Sequence, residues 1–250
     1  KIGDYMKIGI FDSGVGGLTI LKELIRKNKY HEYIYIGDTK NLPYGNSTIE
    51  NLKKYSDTII NYFIKKRCDL VIIACGTISS NLSNYLKEKH KIKIIDIITP
   101  TIDYIVNKNY KNIGLIATNM TIQSNKIASS LTKHNINVIT NPAPKLVDLI
   151  EKNLMNKKES IKILKEYLAP FQNKNLDLLI LGCTQYPIIK KQISSLIKTQ
   201  LYDMAYPIPS LIEDGAILKV QLYFTKLNND ILKNVINILN CKYKIEELKL

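Results

Sequence analysis

Two stretches of this chain repeat each other. Residues 69–75 and 177–183 both run from an aspartate, through four large apolar residues and an alanine or glycine, to a cysteine, so Asp69 leads to Cys75 and Asp177 to Cys183. The two cysteines lie 108 positions apart, and the Ile8-Gly9 and Ile113-Gly114 pairs that open similar stretches lie 105 apart. A continuous apolar run of this length, without alternation, fits a strand buried on both faces, as in a parallel sheet covered by helices. Chance likeness between two hydrophobic strands is one reading of the repeat; two similar α/β halves is the other. In open α/β sheets ligands bind beyond the carboxyl ends of the strands. Two halves facing each other would therefore bring Cys75 and Cys183 to one cleft.

The rest of the chain alternates in the same way. Lys7 to Phe11 is a strand ending at Asp12-Ser13-Gly14, and Leu18, Leu21, Leu24 and Ile25 follow at helical spacing. Tyr33 to Ile36 is a second strand that runs into the turn residues around Pro43-Tyr44-Gly45. Ser47 with Glu50 has the form of a capping box opening a helix to about Phe63. A helix to about Lys87 follows Cys75, and a strand from Lys93 to Ile98 is expected to stop at Pro100. The second half gives strands at 112–118, 138–140 and 178–182, with helices from near Thr121 and over 161–167. The fold class is α/β, with two pseudo-symmetric domains of mainly parallel sheets flanked by helices: residues 1–98 plus 208–250, and residues 99–207.

Of the 36 basic residues, which give a formal charge of +14, only Arg26 and Arg67 are arginine. Base and phosphate recognition leans on the planar arginine fork, and the lysines are scattered in runs of two or three. The charge therefore reads as a solvated surface that attracts small anions, with no nucleic-acid partner. No run approaches the ~18 apolar residues of a membrane span, and Lys1 to Asp4 begin no apolar export stretch. A cytoplasmic protein with four reduced thiols is expected. Cys68, Cys75, Cys183 and Cys241 form no Cys-x-x-Cys pair, and no histidine stands beside one at metal-ligand spacing. Cys68 and Cys241 read as small core residues.

Cys75 and Cys183 each leave a strand and enter a helix, where a thiol pKa can fall from about 8.5 toward neutrality and where free N–H groups suit a carboxylate. Asp12 and Ser13 stand at the equivalent place after the first strand. Position 19 is Thr, so Gly14 and Gly16 do not complete a dinucleotide fingerprint, and no Gly-Lys-Ser/Thr of a P-loop follows. A buried Asp12 would orient a neighbour or bind an amine; Asp12 or Ser13 could equally cap the helix. Tyr44 and Gly45 sit in a loop, Thr118 and Thr121 either donate to a carboxylate or cap a helix, and Glu151 is either a site carboxylate or a surface one.

Together these residues resemble glutamate racemase, of the cofactor-independent aspartate/glutamate racemases. The resemblance rests on Ile8 to Leu18, Gly37-Asp38-Thr39, Pro43-Tyr44-Gly45, Cys75 with Thr77, Thr118 with Thr121 and Ser124, and Gly182-Cys183-Thr184 with Tyr186-Pro187. They occur in the family's order over roughly residues 7–190; the tail after Pro209 matches loosely. The resemblance implies an active-site cleft between two domains, no cofactor or metal, an amino-acid substrate, D-glutamate for peptidoglycan synthesis, and the homodimer common in the family. It implies that Cys75 and Cys183 are the acid/base pair, that Asp12 assists Cys75, and that Glu151 supports Cys183. Asp12, Ser13, Tyr44, Gly45, Gly76, Thr77, Thr118, Thr121, Thr184 and Gln185 would line the substrate site.

Two positions depart from the pattern. The family usually has Asn after the first cysteine and His two residues after the second; here these are Gly76 and Gln185. Gly76 lacks a side-chain amide that would contact substrate. Gln185 can hydrogen-bond but cannot exchange a proton near pH 7. The alternatives are an aspartate racemase, a catalytically idle amino-acid-binding relative, and a thiol redox protein. The last is disfavoured because no resolving cysteine lies nearby in sequence.

Overall fold

The computed structural model describes residues 5–250. Lys1 to Asp4, assigned above to the first domain and read as no export stretch, lie outside the described residues. The first half contains β1 (Lys7–Asp12), α1 (Leu18–Arg26), β2 (Lys29–Gly37), α2 (Ile49–Lys65), β3 (Leu70–Ile73), α3 (Gly76–Asn81), α4 (Ser83–Lys89) and β4 (Lys93–Asp96). Then come α5 (Ile98–Val106), β5 (Asn112–Ala117), α6 (Asn119–Gln123), α7 (Lys126–Thr132), β6 (Asn137–Pro142), α8 (Lys145–Glu151), α9 (Lys158–Leu168), β7 (Leu178–Leu181), α10 (Lys190–Leu196) and β8 (Leu201–Asp203). The chain ends with β9 (Gly215–Phe224), α11 (Asn229–Leu239) and β10 (Ile245–Glu247).

The strands form two sheets, ordered β10-β9-β2-β1-β3-β4 and β6-β5-β7-β8, in which every pair is parallel. Four strands of the first, β2-β1-β3-β4, repeat the winding of the second, so the duplication seen in the sequence is present in the topology. The repeated aspartates have a shared structural role. Asp69 Oδ2 accepts from Lys7 N at 2.7 Å, while Asp177 Oδ2 accepts from Lys111 N at 2.6 Å and Asn112 N at 2.9 Å. Each carboxylate satisfies backbone donors at the start of the neighbouring strand. The aspartate thus fixes the register of the strand that carries its cysteine.

One buried cluster joins Ile8, Ile10 and Ile72 of the first sheet to Ile113, Leu115 and Ile180 of the second. Separate clusters fill the outer faces: Phe11, Ile60 and Phe63 on the first sheet, and Leu146, Leu164 and Leu181 on the second. The carboxyl ends of β1, β3, β5 and β7 are held against one another by this shared packing. Among the described residues no helix is long and apolar enough to cross a membrane.

Several local expectations are corrected. The cap of α2 is Thr48, whose side chain accepts from Asn51 N, and not Ser47. The segment after Cys75 is two helices that meet at Leu82. The strand at 93 ends at Asp96, and α5 runs through Pro100: Asp96 Oδ1 accepts from Ile98 N and Thr99 N, and proline in a first turn lacks only an N–H that has no helical partner anyway. Cys241, expected in the core, is exposed just beyond the left-handed Asn240 that ends α11.

Candidate active site

Cys75, the residue before α3, and Cys183 each stand two residues beyond the end of a strand, β3 and β7. They are 4% and 5% exposed and line the same enclosed space. The walls include Ser13 from the loop after β1, Tyr44 and Gly45 from the loop after β2, and Gly76 and Thr77 from α3. Thr118, Thr184 and Gln185 also line it, whereas Asp12 and Thr121 of the expected set do not. The cavity is only about 10 Å³, against roughly 300–1,000 Å³ for ordinary ligand pockets.

Close approach of the two halves accounts for this tightness. A Cβ added to Gly76 would stand 2.6 Å from the Gly182 carbonyl oxygen, and one added to Gly16 would stand 2.6 Å from Thr184. The hydroxyls of Thr77 and Thr118 meet at 3.0 Å, and Thr118 reaches that of Thr121 at 2.9 Å, so a line of hydroxyls crosses from one half to the other. Thr118 also caps α6 by accepting from Thr121 N. The capping reading of that threonine therefore holds, and among the described residues its hydroxyl meets two other hydroxyls.

Asp12, Thr121 and Glu151 stand one layer behind the cavity wall. Asp12 Oδ1 accepts from Gly14 N at 2.8 Å, and its Oδ2 accepts from the Thr184 hydroxyl at 2.9 Å. Neither Asp12 nor Ser13 caps α1; the residue before that helix is Gly17, with no side-chain cap, because the loop 13–17 separates them. Glu151 is buried at the end of α8 and not on the surface. Its Oε1 accepts from Val15 N at 3.0 Å and from Gln185 Nε2 at 3.3 Å, while Gln185 Oε1 accepts from Cys183 Sγ at 2.8 Å. Tyr44 donates to the buried Asp38 at 2.6 Å, which anchors the loop that carries Gly45.

The thiols do not have depressed pKa values. Burial pushes Cys75 up to about 12, the Asp12 charge adds to it, and the Ile78 and Thr77 N–H groups and Ser13 hydroxyl offset only part. Burial likewise pushes Cys183 well above its ordinary value, with Cys75, Asp12 and Glu151 adding to it. Cys183 also lacks the expected helix start, since turn residues and a short 3-10 segment from Tyr186 follow it. Burial raises Asp12 above the usual carboxylate range and Glu151 to about 7. Among the described residues no lysine, arginine or histidine is one of the principal groups that set these four values. A cationic amine is what this set of buried acids lacks.

Pro43 and Val147 also line the cavity and were not singled out from sequence. Val147 precedes Glu151 by four residues on α8, so the helical period that places one on this face places the other. Among the described residues no three His, Cys, Asp or Glu side chains cluster as metal ligands.

An α/β fold in which a thiol from each repeated half lines one cavity defines a class, and comparison with known proteins gives its family. The model of the Asp/Glu/hydantoin racemase family matches residues 16–205, and the chain belongs to that family of isomerases. The glutamate racemase of Hydrogenobaculum sp. is 32% identical over 249 residues, covering 96% of each chain. That of Fusobacterium nucleatum is 39% identical over 207 residues, covering 81% of this chain and 78% of its own. The crystal structure of Francisella tularensis glutamate racemase with D-glutamate superposes with a TM-score of 0.88, at 31% identity and 97% coverage of both chains.

Proposed function

We propose that this chain interconverts L- and D-glutamate through Cys75 and Cys183, acting from opposite faces of the substrate's α-carbon without a cofactor. The observation that carries the reading is that two thiols, at matching strand ends of two repeated halves, line one closed space. Inversion requires a proton to leave one face and another to arrive on the opposite face, so one base does not suffice. Cys75 as thiolate takes the α-proton while Cys183 as thiol delivers one, and the reverse reaction exchanges the roles. The carbanion spreads into the substrate carboxylate, where the N–H groups at the start of α3 and the Thr77 and Thr118 hydroxyls act as donors.

Charge balance supports an amino acid over a plain carboxylic acid. Burial and the neighbouring Asp12 and Glu151 hold the thiols protonated, and a bound ammonium group supplies a positive charge that lowers both thiol pKa values. The base is thus formed when substrate is in place. A cavity of about 10 Å³ also requires the two halves to part for substrate to enter. Asp12 and Glu151 serve as support behind the thiols, Asp12 through Thr184 and Glu151 through Gln185. The D-glutamate formed would supply peptidoglycan synthesis, the role implied by the resemblance to glutamate racemases.

The test is the change in circular dichroism of L-Glu, D-Glu, L-Asp and D-Asp on incubation with the protein. Both glutamate enantiomers are expected to reach the racemate with equal kcat/KM, since enantiomers have equal free energy. Aspartate, one methylene shorter, is expected to react about 10–200-fold more slowly. Faster turnover of aspartate would assign the substrate to aspartate. No change with any of the four, from folded protein, would overturn the enzymatic reading.

A further inference from the structure

Gln185 lies between the second thiol and a buried carboxylate, and it is only 1% exposed. Its Nε2 donates to Glu151 Oε1 at 3.3 Å, and its Oε1 accepts from Cys183 Sγ at 2.8 Å and from Thr184 Oγ1 at 3.4 Å. The two ends of an amide have opposite polarity. An ionised carboxylate only accepts, so it fixes Nε2 toward itself and Oε1 toward the sulfur. An amide oxygen facing sulfur at this distance favours the S–H form and opposes the thiolate.

We propose that Gln185 is a positioning residue for proton transfer: held by Glu151, its amide oxygen keeps Cys183 as the proton-donating thiol, and reversal of the amide is what lets Cys183 serve as the base. The proposal rests on the racemase reading above. In one direction the Cys75 thiolate takes the α-proton and the Cys183 S–H bond gives its proton to the other face, leaving Cys75 as thiol and Cys183 as thiolate. That thiolate faces a carbonyl oxygen until the amide turns, so that Nε2 donates to sulfur and Oε1 faces Glu151. Glu151 must then take one proton from solvent to donate to Oε1.

The surroundings of Glu151 suit that exchange. The titratable groups acting on it are Asp12 from β1 and Asp148 on its own helix, and its charge in turn acts on Cys183 after β7 and Tyr35 of β2. None is a cation, and burial sets Glu151 at about 7, where it gains or loses a proton near neutrality. Gln185 therefore transmits the charge of Glu151 to the thiol as an orientation, without carrying a proton itself.

The experiment compares wild type with Gln185→Leu, Glu151→Gln and the double variant, with folding checked by far-UV circular dichroism. Initial rates are measured in both directions from about pH 5.5 to about 9. Gln185→Leu is expected to lower kcat about 10–100-fold both ways with KM within about 3-fold, and to remove the inflection near pH 7. Glu151→Gln is expected to remove the same inflection, and the double variant to be no slower than the slower single one. A second readout is the infrared S–H stretch of Cys183, obtained by difference against Cys183→Ser. It is expected at lowered frequency in wild type above pH 7 and at higher frequency in Gln185→Leu. Retention of the inflection in Gln185→Leu, a change in KM alone, or an unmoved S–H band would each overturn the proposal. If wild type racemises no amino acid, the functional reading fails while the S–H band still decides the orientation of the amide.

Discussion

An alanine at position 76 would put a methyl carbon 2.6 Å from the backbone oxygen of Gly182. Neither atom is the end of a flexible side chain: one belongs to the first residue of α3, the other to the segment between β7 and Cys183. Relief requires the two halves to move apart at the point where the thiols face the cavity. Overpacking of this kind costs about 1–3 kcal/mol, while the helix preference of Ala over Gly, at most about 1 kcal/mol and smaller at a helix start, acts in the opposite direction. A net loss of about 1–2 kcal/mol lowers Tm by about 2–8 °C for a chain of this size. Scanning calorimetry of Gly76→Ala measures it directly. The same Cβ is introduced by Gly76→Asn, which restores the residue usual in the family. Gly76→Asn is therefore expected to be less stable than wild type and no more active. A variant with higher Tm and higher kcat/KM would refute the reasoning, because it would mean that this seam has room for a side chain.

Other expectations follow from the buried acids. Glu151 sits at about 7 when folded against 4.5 as its ordinary value, so the folded chain keeps a proton that the unfolded chain releases. Its contribution to stability is fully present below about pH 4.5 and is lost as pH rises through about 7, a change of about 3 kcal/mol. Urea denaturation should show that difference between wild type and Glu151→Gln across this range; parallel stability curves would contradict it. Thr184→Val leaves Asp12 Oδ2 without its hydroxyl donor and should cost about 1–3 kcal/mol, together with a fall in kcat, whereas Thr184→Ser should restore both. Tyr44→Phe removes one of the donors to Asp38 and should lower Tm, since among the described residues Asn41 and Thr225 remain as its side-chain partners.

What could be read from sequence was what depends on local order along the chain. The two apolar runs gave the strands β3 and β7 and their cysteines because burial on both faces leaves a continuous hydrophobic pattern. The repeated Asp69 and Asp177 marked register without revealing it, since their partners, Lys7 and Asn112, lie about sixty residues away. Ser47 and Thr48 could not be told apart because both are hydroxyl caps near Glu50. The pairing of β9 with β2 was missed because a segment whose first half has mostly exposed side chains carries a weak pattern. The acidity of the thiols could not be read either: it depends on how tightly the halves close over Cys75 and Cys183, and that closure excludes the water that would stabilise a thiolate. Val147 was within reach, one helical turn before Glu151.

The central claim is that two opposed thiols act on one α-carbon. The measurement is proton NMR of L-Glu and D-Glu in D₂O with wild type, Cys75→Ser and Cys183→Ser. The account predicts α-deuteration with inversion for both enantiomers in wild type, and loss of inversion in each variant. Inversion that persists at near wild-type rate in either serine variant would contradict it, because one thiol would then be sufficient.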